Sequence, residues 1–553
     1  MDVKSQISSI ELDKSYYRPG KTVQIQVSIL SEVGNPSKGS VVLTITNLSY
    51  VLIREDREVF LENGPQEIEF SYLPAEEAPR GYGIDVEIVS MDGELLDRAT
   101  SAFDVLDNWV QNPRYGFLTD YEPGRTDAAQ TMDILNRFHI NGLQFYDWMY
   151  RHEKFLTDQE PYYDLWSPKP HSILTVKALI EAAHQRSIAA MPYTAVYGSS
   201  RTFAIEHPDW ILYTSNGEPL EFGGDKMMIM DPRPDSPWTA YMLDQFKEVL
   251  DNTDFDGIHL DQYGDPKVGY DKEGNSYDVA PALAEFINLT KELTGQYSKE
   301  DAVVFNAVTN WPIEAAAPSK EDFVYIELWP PYIWFSDLHQ VIVSAQKLGG
   351  GKPVVLACYI DPTFENNAIL NDAIIFASGG GHIEIGENAG MLSGPYFPEY
   401  KIMSTRLHKT LQNYYDFTVR YQDVIGPHTQ DATMLQQSKI SIQNVSTSPS
   451  QMSNKVWPIV RESDGRTAIN LINFLGVTQV EWDEQVVSPP TPLLNFKLTL
   501  SEVSRTADRV WFSSPDHEAI TLQPLQFTQD SGSLTVEVPD LNYWSMILID
   551  WSE

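Results

Sequence analysis

The sequence predicts a three-part chain: a central (β/α)8 TIM barrel, an immunoglobulin-like β-sandwich before it and an antiparallel β-sandwich after it. Three observations carry this. Residues 1 to about 106 alternate apolar and polar positions in short runs parted by turn clusters. From about 113 to 425, eight apolar runs alternate with helical patterns. Beyond about 425, strand patterns return without helices between them. At 553 residues the chain is too long for one core, and about 100 to 200 residues per domain suggests three or four units. The expected boundaries are 1–108, 109–425 and 426–553.

In the first part, Thr22-Val-Gln-Ile-Gln-Val-Ser-Ile and Ser40-Val-Val-Leu-Thr-Ile-Thr have the period of two that a half-buried strand needs. Arg18-Pro-Gly, Gly34-Asn-Pro-Ser and Met91-Asp-Gly-Glu supply the turns. About seven strands so spaced suit an immunoglobulin-like sandwich, although no Cys-Trp-Cys pin is present, so the likeness is architectural. In the second part the runs begin at Tyr115, Ile140, Ile188, Gly257, Val303, Phe323, Pro353 and Gly381. Helical patterns lie between them at 127–138, 172–186, 238–251 and 280–294, and a last one at 398–421 completes the eighth repeat. In the third part Thr467–Phe474, Ala519–Leu522, Ser533–Val538 and Trp544–Ile549 read as strands, with Pro489, Pro490 and Pro492 in a loop.

A formal charge of −39, from 78 acidic against 39 basic residues, would repel a phosphate backbone or an anionic membrane. Nucleic acid is therefore not expected as a partner, whereas neutral sugars make no demand for a positive field. The lone Cys358 rules out an internal disulfide and, in the apolar run Val354-Val-Leu-Ala-Cys-Tyr, reads as a core thiol. No run approaches the roughly 20 apolar residues of a membrane span, and Met1-Asp-Val-Lys-Ser-Gln is no signal peptide. A monomer, secreted or extracellular after loss of a signal, is the expected state.

In a TIM barrel the reactive side chains sit at the carboxyl ends of the strands. The residues closing the runs are Asp120, Asp147 with Trp148, Tyr193, Asp261, Asn306, Glu327 with Trp329, Tyr359, and Glu384 with Glu387. Acids, amides and rings dominate. A sugar cleft needs that mixture, because hydroxyls want carboxylate and amide partners while the apolar faces of a pyranose stack on aromatic rings. Phosphate chemistry would want basic residues and a Gly-rich turn, which these ends lack.

A single Asp at a strand end often caps the following helix, and Asp120 and Asp147 stay open to that reading. Asp261 does not, because Gln262-Tyr-Gly-Asp-Pro continues as loop. Glu327, flanked by Tyr325, Ile326, Leu328 and Trp329, would be costly to bury without a partner or a task. An apolar setting favours the protonated form, which suits Glu327 to general acid catalysis. Asp261, with hydrogen bonds expected from Tyr263 and Asn306, suits the nucleophile. His259 precedes Asp261 by two residues and points the same way, either packed or touching substrate. Trp329, Tyr332, Trp334 and Phe335 form a stripe that is core or sugar platform, and Pro330-Pro331 favours the platform by forcing a loop. Without a His-x-x-x-His or His-Glu pair at ligand spacing, neither a metal nor a cofactor is expected.

The Asp-Gly-x-x-x-Asp that ends at Asp261, the Tyr-Ile-Glu-Leu-Trp-Pro around Glu327 and the Tyr-Gly-Phe-Leu-Thr-Asp-Tyr from Tyr115 resemble family 66 of the glycoside hydrolases. That family contains dextranases and cycloisomaltooligosaccharide glucanotransferases and has a similar three-part architecture. The resemblance implies a retaining mechanism on α-1,6-glucan (dextran) and isomaltooligosaccharides, with Asp261 matching the nucleophile and Glu327 the acid/base. The carboxyls are then expected about 5 to 5.5 Å apart. Asp120, Asp147, Trp148, Tyr193, His259, Tyr263, Asn306, Trp329, Tyr332, Tyr359 and Glu384 are the expected substrate contacts. The cyclising members carry a binding module inserted in the catalytic region, and no stretch here is free to be one, the segment from Ala195 to Pro237 being too short. That favours hydrolysis over cyclisation, with a non-catalytic glucan-binding protein as the reading from another class. Chitinase-type barrels want a glutamate where Tyr263 stands, and the α-amylase group an arginine at His259.

Overall fold

The computed structural model describes residues 4–32, 37–166, 169–224, 226–298 and 300–552. The turn expected at Gly34-Asn-Pro lies outside them. Two antiparallel sheets open the chain. One holds Lys4–Leu12, Val23–Glu32 and Gly64–Tyr72; the other holds Ser37–Asn47, Tyr50–Leu61, Arg80–Ser90 and Leu95–Val105. Val23, Ile25, Val27 and Ile29 on one sheet share a buried core with Val41, Leu43 and Ile45 on the other, as a period of two dictates.

The barrel strands are β1 (Tyr115–Leu118), β2 (Gly142–Phe145), β3 (Ala189–Ala195), β4 (Gly257–Asp261), β5 (Ala302–Val308), β6 (Phe323–Glu327), β7 (Val354–Ala357) and β8 (Gly381–His382). Each pairs in parallel with the next. A bridge between Phe117 and Gly386 brings β1 back to the chain just past β8, so the ring nearly closes. Gly257 opens β4 at φ 140°, where a Cβ would collide with the Ala302 carbonyl of β5, which is why the Asp-Gly run begins as it does. Helices Ala128–Asn136, Ile173–Gln185, Pro237–Asn252, Val279–Thr294, Phe335–Leu348, Glu365–Ala377 and Thr405–Arg420 pack outside. The fifth repeat has only Ile313–Ala316, since Pro312 and Pro318 bracket it.

Two further antiparallel sheets, of six and four strands, follow from Gln430 to Trp551. Ala519–Leu522, expected as a strand, is irregular. Its apolar residues serve a junction instead: Ile520 is buried, and its carbonyl accepts from Tyr421 and Ser513 hydroxyls. The first sheets are fastened to the barrel by charge. Arg420, 0% exposed at the end of the last barrel helix, gives two bonds to Asp85 at 2.9 and 3.1 Å, and its guanidinium fills the space a Cβ on Gly83 would need. Arg114 does the same to Asp104 at 2.8 and 3.1 Å. No helix of the described residues is long and apolar enough to cross a membrane.

Candidate active site

Residues two apart on a strand face the same side, so His259 and Asp261 point inward from β4, as do Tyr325 and Glu327 from β6. Asn306 on β5 lies between the two acids. Its Nδ2 donates to Asp261 Oδ1 at 2.8 Å and to Glu327 Oε2 at 2.9 Å. Those oxygens are therefore no farther apart than the two bond lengths end to end, short of the roughly 6.5 Å at which inverting separations begin. Tyr193 donates to Asp261 Oδ2 at 2.6 Å, and Tyr359 to Glu327 Oε1 at 2.8 Å. Every oxygen of the pair has a donor, and none of these donors is charged.

Burial pushes the Asp261 carboxyl up to about 7; the charge of Glu327 adds to the rise, and the bonds from Tyr193 and Asn306 oppose it. Asp261, expected as the nucleophile, is thus a carboxyl whose burial disfavours its charged form, and the nearby charge of Glu327 adds to that.

Several expected contacts lie elsewhere. His259 is 1% exposed, bonded through Nδ1 to the Tyr115 hydroxyl at 3.1 Å and enclosed by the rings of Tyr115, Tyr193 and Tyr325. Burial pulls it down to about 3, so it is a neutral floor beneath the acids rather than a substrate contact. The bond expected from Tyr263 comes from Tyr193; Tyr263 packs edge-on to Tyr197 at 5.4 Å, its hydroxyl without a hydrogen-bond partner among the described residues. Trp148 is buried against Phe255 at 4.8 Å. The cause is one residue earlier: Asp147 takes φ 47°, and this left-handed step turns the following side chain into the core.

Glu384 is likewise buried, in a second acidic cluster. His382 Nδ1 lies 2.9 Å from Asp372 and 3.3 Å from Glu384, and its Nε2 lies 3.1 Å from the Cys358 carbonyl. Burial pulls His382 down, but the charge of Glu384 and the bond to Asp372 outweigh it and push it up to about 10. The cluster is an imidazolium between two buried acids, of which Asp372 is held well above the usual carboxylate range by burial and then by the charge of Glu384. Among the described residues it is the one group of three side chains placed to hold a metal, and spacing missed it because Asp372 comes from helix Glu365–Ala377.

Asp120 and Asp147 line a cavity of about 470 Å³ with Tyr146, His171, Asn388 and Tyr400. Burial, then the charges of Asp164 and Asp261, hold the Asp147 carboxyl well above the usual range. The Tyr146 ring lies 4.9 Å from Tyr193, which places this cavity on the Asp261 side. Arg125 fastens the loop after β1 to the loop after β8 through two bonds to buried Glu387, at 2.6 and 3.0 Å. On the Glu327 side, half-buried Trp329 lies 5.7 Å from Tyr359, Tyr332 is half-buried and Trp334 is 40% exposed, while Phe335 belongs to the core. Tyr146 and Tyr197 went unnoticed in the sequence; the run Phe145-Tyr-Asp held the only signal for the first.

The fold matches that of a Paenibacillus sp. cycloisomaltooligosaccharide glucanotransferase complexed with cycloisomaltoheptaose, with a TM-score of 0.92 over 99% of this chain and 100% of that one, at 22% identity. In sequence, a cycloisomaltooligosaccharide glucanotransferase of Niallia circulans is 24% identical over 98% of this chain and 72% of its own length. A dextranase of Streptococcus salivarius is 22% identical over 85% and 67%. The Niallia alignment runs over 705 residues against the 553 here, so that relative carries insertions within the matched span. The model of glycosyl hydrolase family 66 matches residues 12–548, and the chain belongs to that family.

Proposed function

We propose that the chain is a dextranase: a retaining endo-hydrolase that cuts α-1,6-glucosidic linkages and releases isomaltooligosaccharides. The observation that carries the retaining part is the Asn306 amide shared by Asp261 and Glu327. Asp261 attacks the anomeric carbon while Glu327 gives its proton to the departing glycosidic oxygen; the bond to that oxygen breaks and an ester to Asp261 forms. Water then enters, Glu327 takes its proton, and the water oxygen displaces Asp261. The cycle starts with Asp261 ionised and the proton on Glu327. The cavity of Asp120 and Asp147 suits the part of the chain that stays on the nucleophile. Trp329 and Trp334 suit the part that leaves, since the acid stands between the two.

The α-1,6 linkage rests on the dextranase and glucanotransferase relatives. Cyclisation is the second reading, favoured by the Niallia and Paenibacillus enzymes; the insertions of the Niallia relative, for which this chain has no room, favour hydrolysis. We also infer that the first part, 1–108, is an immunoglobulin-like sandwich, that 109–425 is the catalytic barrel and 426–553 the closing sandwich, and that a monomer acts outside the cell, where dextran is. Incubation with dextran, with product anomers followed by NMR, tests the reading. New reducing ends first formed as the α-anomer are expected. First-formed β-anomer would mean inversion, cyclic products would establish the second reading, and no release would leave a glucan-binding protein.

A further inference from the structure

The loop that follows Glu327 is not held by the barrel alone. A strap from the closing antiparallel unit, residues 480–487, lies between that loop and the helix Glu365–Ala377. Glu481 bridges Trp334, and Phe335 N–H donates to the Val480 carbonyl at 3.3 Å. Trp482 grips from both ends: its backbone N–H donates to the Ile333 carbonyl at 2.9 Å, and its Nε1–H to the Tyr332 carbonyl at 2.8 Å. The strap is itself locked from behind by Asn367, which is 0% exposed. Its Nδ2 donates to the carbonyls of Trp482 and Glu484 at 2.9 and 2.7 Å, and its Oδ1 accepts from Val486 N–H at 2.8 Å. A buried amide with three bonds to one short segment fixes that segment's path, and the segment fixes the ring-bearing loop.

We propose that Trp482 is a positioning residue for the acceptor side of the site, holding the Trp329, Tyr332 and Trp334 rings where a sugar hydroxyl must wait if it is to capture the glycosyl-enzyme in place of water. This rests on the retaining reading above. Transfer and hydrolysis share the first step, in which the ester to Asp261 forms. They part at the second, where either water or an acceptor hydroxyl gives its proton to Glu327 and its oxygen to the anomeric carbon as the ester bond to Asp261 breaks and frees the carboxylate. A platform that orders the acceptor therefore acts on the branching, and on the first step only where the group that leaves is itself a sugar resting on it.

α-Isomaltotriosyl fluoride separates the two, because fluoride leaves without an aromatic platform. With isomaltose added as acceptor, Trp482→Phe, which keeps a ring and loses the Nε1–H, is expected to lower the ratio of transfer to hydrolysis about fivefold or more, and fluoride release by less than about twofold. Trp334→Ala, on an exposed ring, is expected to move the ratio in the same direction with an unaltered melting temperature. An unchanged ratio in both variants overturns the proposal, as does a fall of fluoride release and transfer in proportion. Absence of fluoride release from the unaltered protein would remove the retaining reading and this inference together, a different result from an unchanged ratio.

Discussion

Two pairs of carboxylates stand within this one barrel, and they differ in what lies between them. Asp372 and Glu384 are bridged by His382, whose positive charge faces both. Asp261 and Glu327 are bridged by the amide of Asn306, which bonds both and neutralises neither. The first arrangement is closed off from solvent, and burial, then the charge of Glu384, push Asp372 itself well above the usual carboxylate range. In the second, burial and then the charge of Glu327 push Asp261 up to about 7. The same residue types thus meet across a charged bridge in one place and a neutral bridge in the other, and the neutral one is where we propose the chemistry lies.

The comparison breaks most visibly at the reactive pair. Asp261→Ala and Glu327→Gln are each expected to lower turnover on dextran by about 10³-fold or more while melting stays cooperative. Retained turnover in either removes that residue from the chemistry. The converse belongs to the brace: His382→Ala leaves two buried carboxylates facing each other and is expected to cost about 3–5 kcal/mol in urea unfolding. Should stability hold and activity vanish, the two clusters would have been assigned the wrong way round.

Finer effects sharpen the contrast. Asn306→Ala is expected to slow turnover by about 10²-fold. Because the Asn306 bond is one of the influences that lower the Asp261 carboxyl, its loss should move the limb of the pH profile that reports Asp261 upward; a downward move would contradict the bridge. The smallest effect is on stability. The carboxyl of Asp261 is raised on folding, so its contribution is fully present below the ordinary Asp range and is lost as pH rises through about 7. Asp261→Asn is therefore expected to gain about 1–3 kcal/mol over the parent near pH 8 and about nothing near pH 4, by chemical denaturation at each pH.

Asp261 and Glu327 were legible because each ends an apolar run with no helix to cap, a purely local signal. The eight strands were legible for the same reason. Asn306 was a candidate by position, but its role as a bridge depends on three parallel strands in register, which no single segment encodes. Trp148 and Glu384 misled because alternation stops at a strand's end: a left-handed step at Asp147 turned one inward, and the close of β8 left the other among buried partners. Trp482 carried no signal at all, since it lies about 150 residues beyond the loop it holds.

The buried guanidiniums of Arg420 and Arg114 bear on how this chain tolerates surgery. Both belong to the barrel, yet their counter-ions, Asp85 and Asp104, come from the first hundred or so residues. Trimming the chain to its barrel would strip two cations of their anions and uncover the groove that Gly83 leaves for one of them. The leading sheets are thus a foundation for the barrel and not a detachable appendage, and a truncated version is expected in the insoluble fraction on expression, where one keeping residues 1–108 is not.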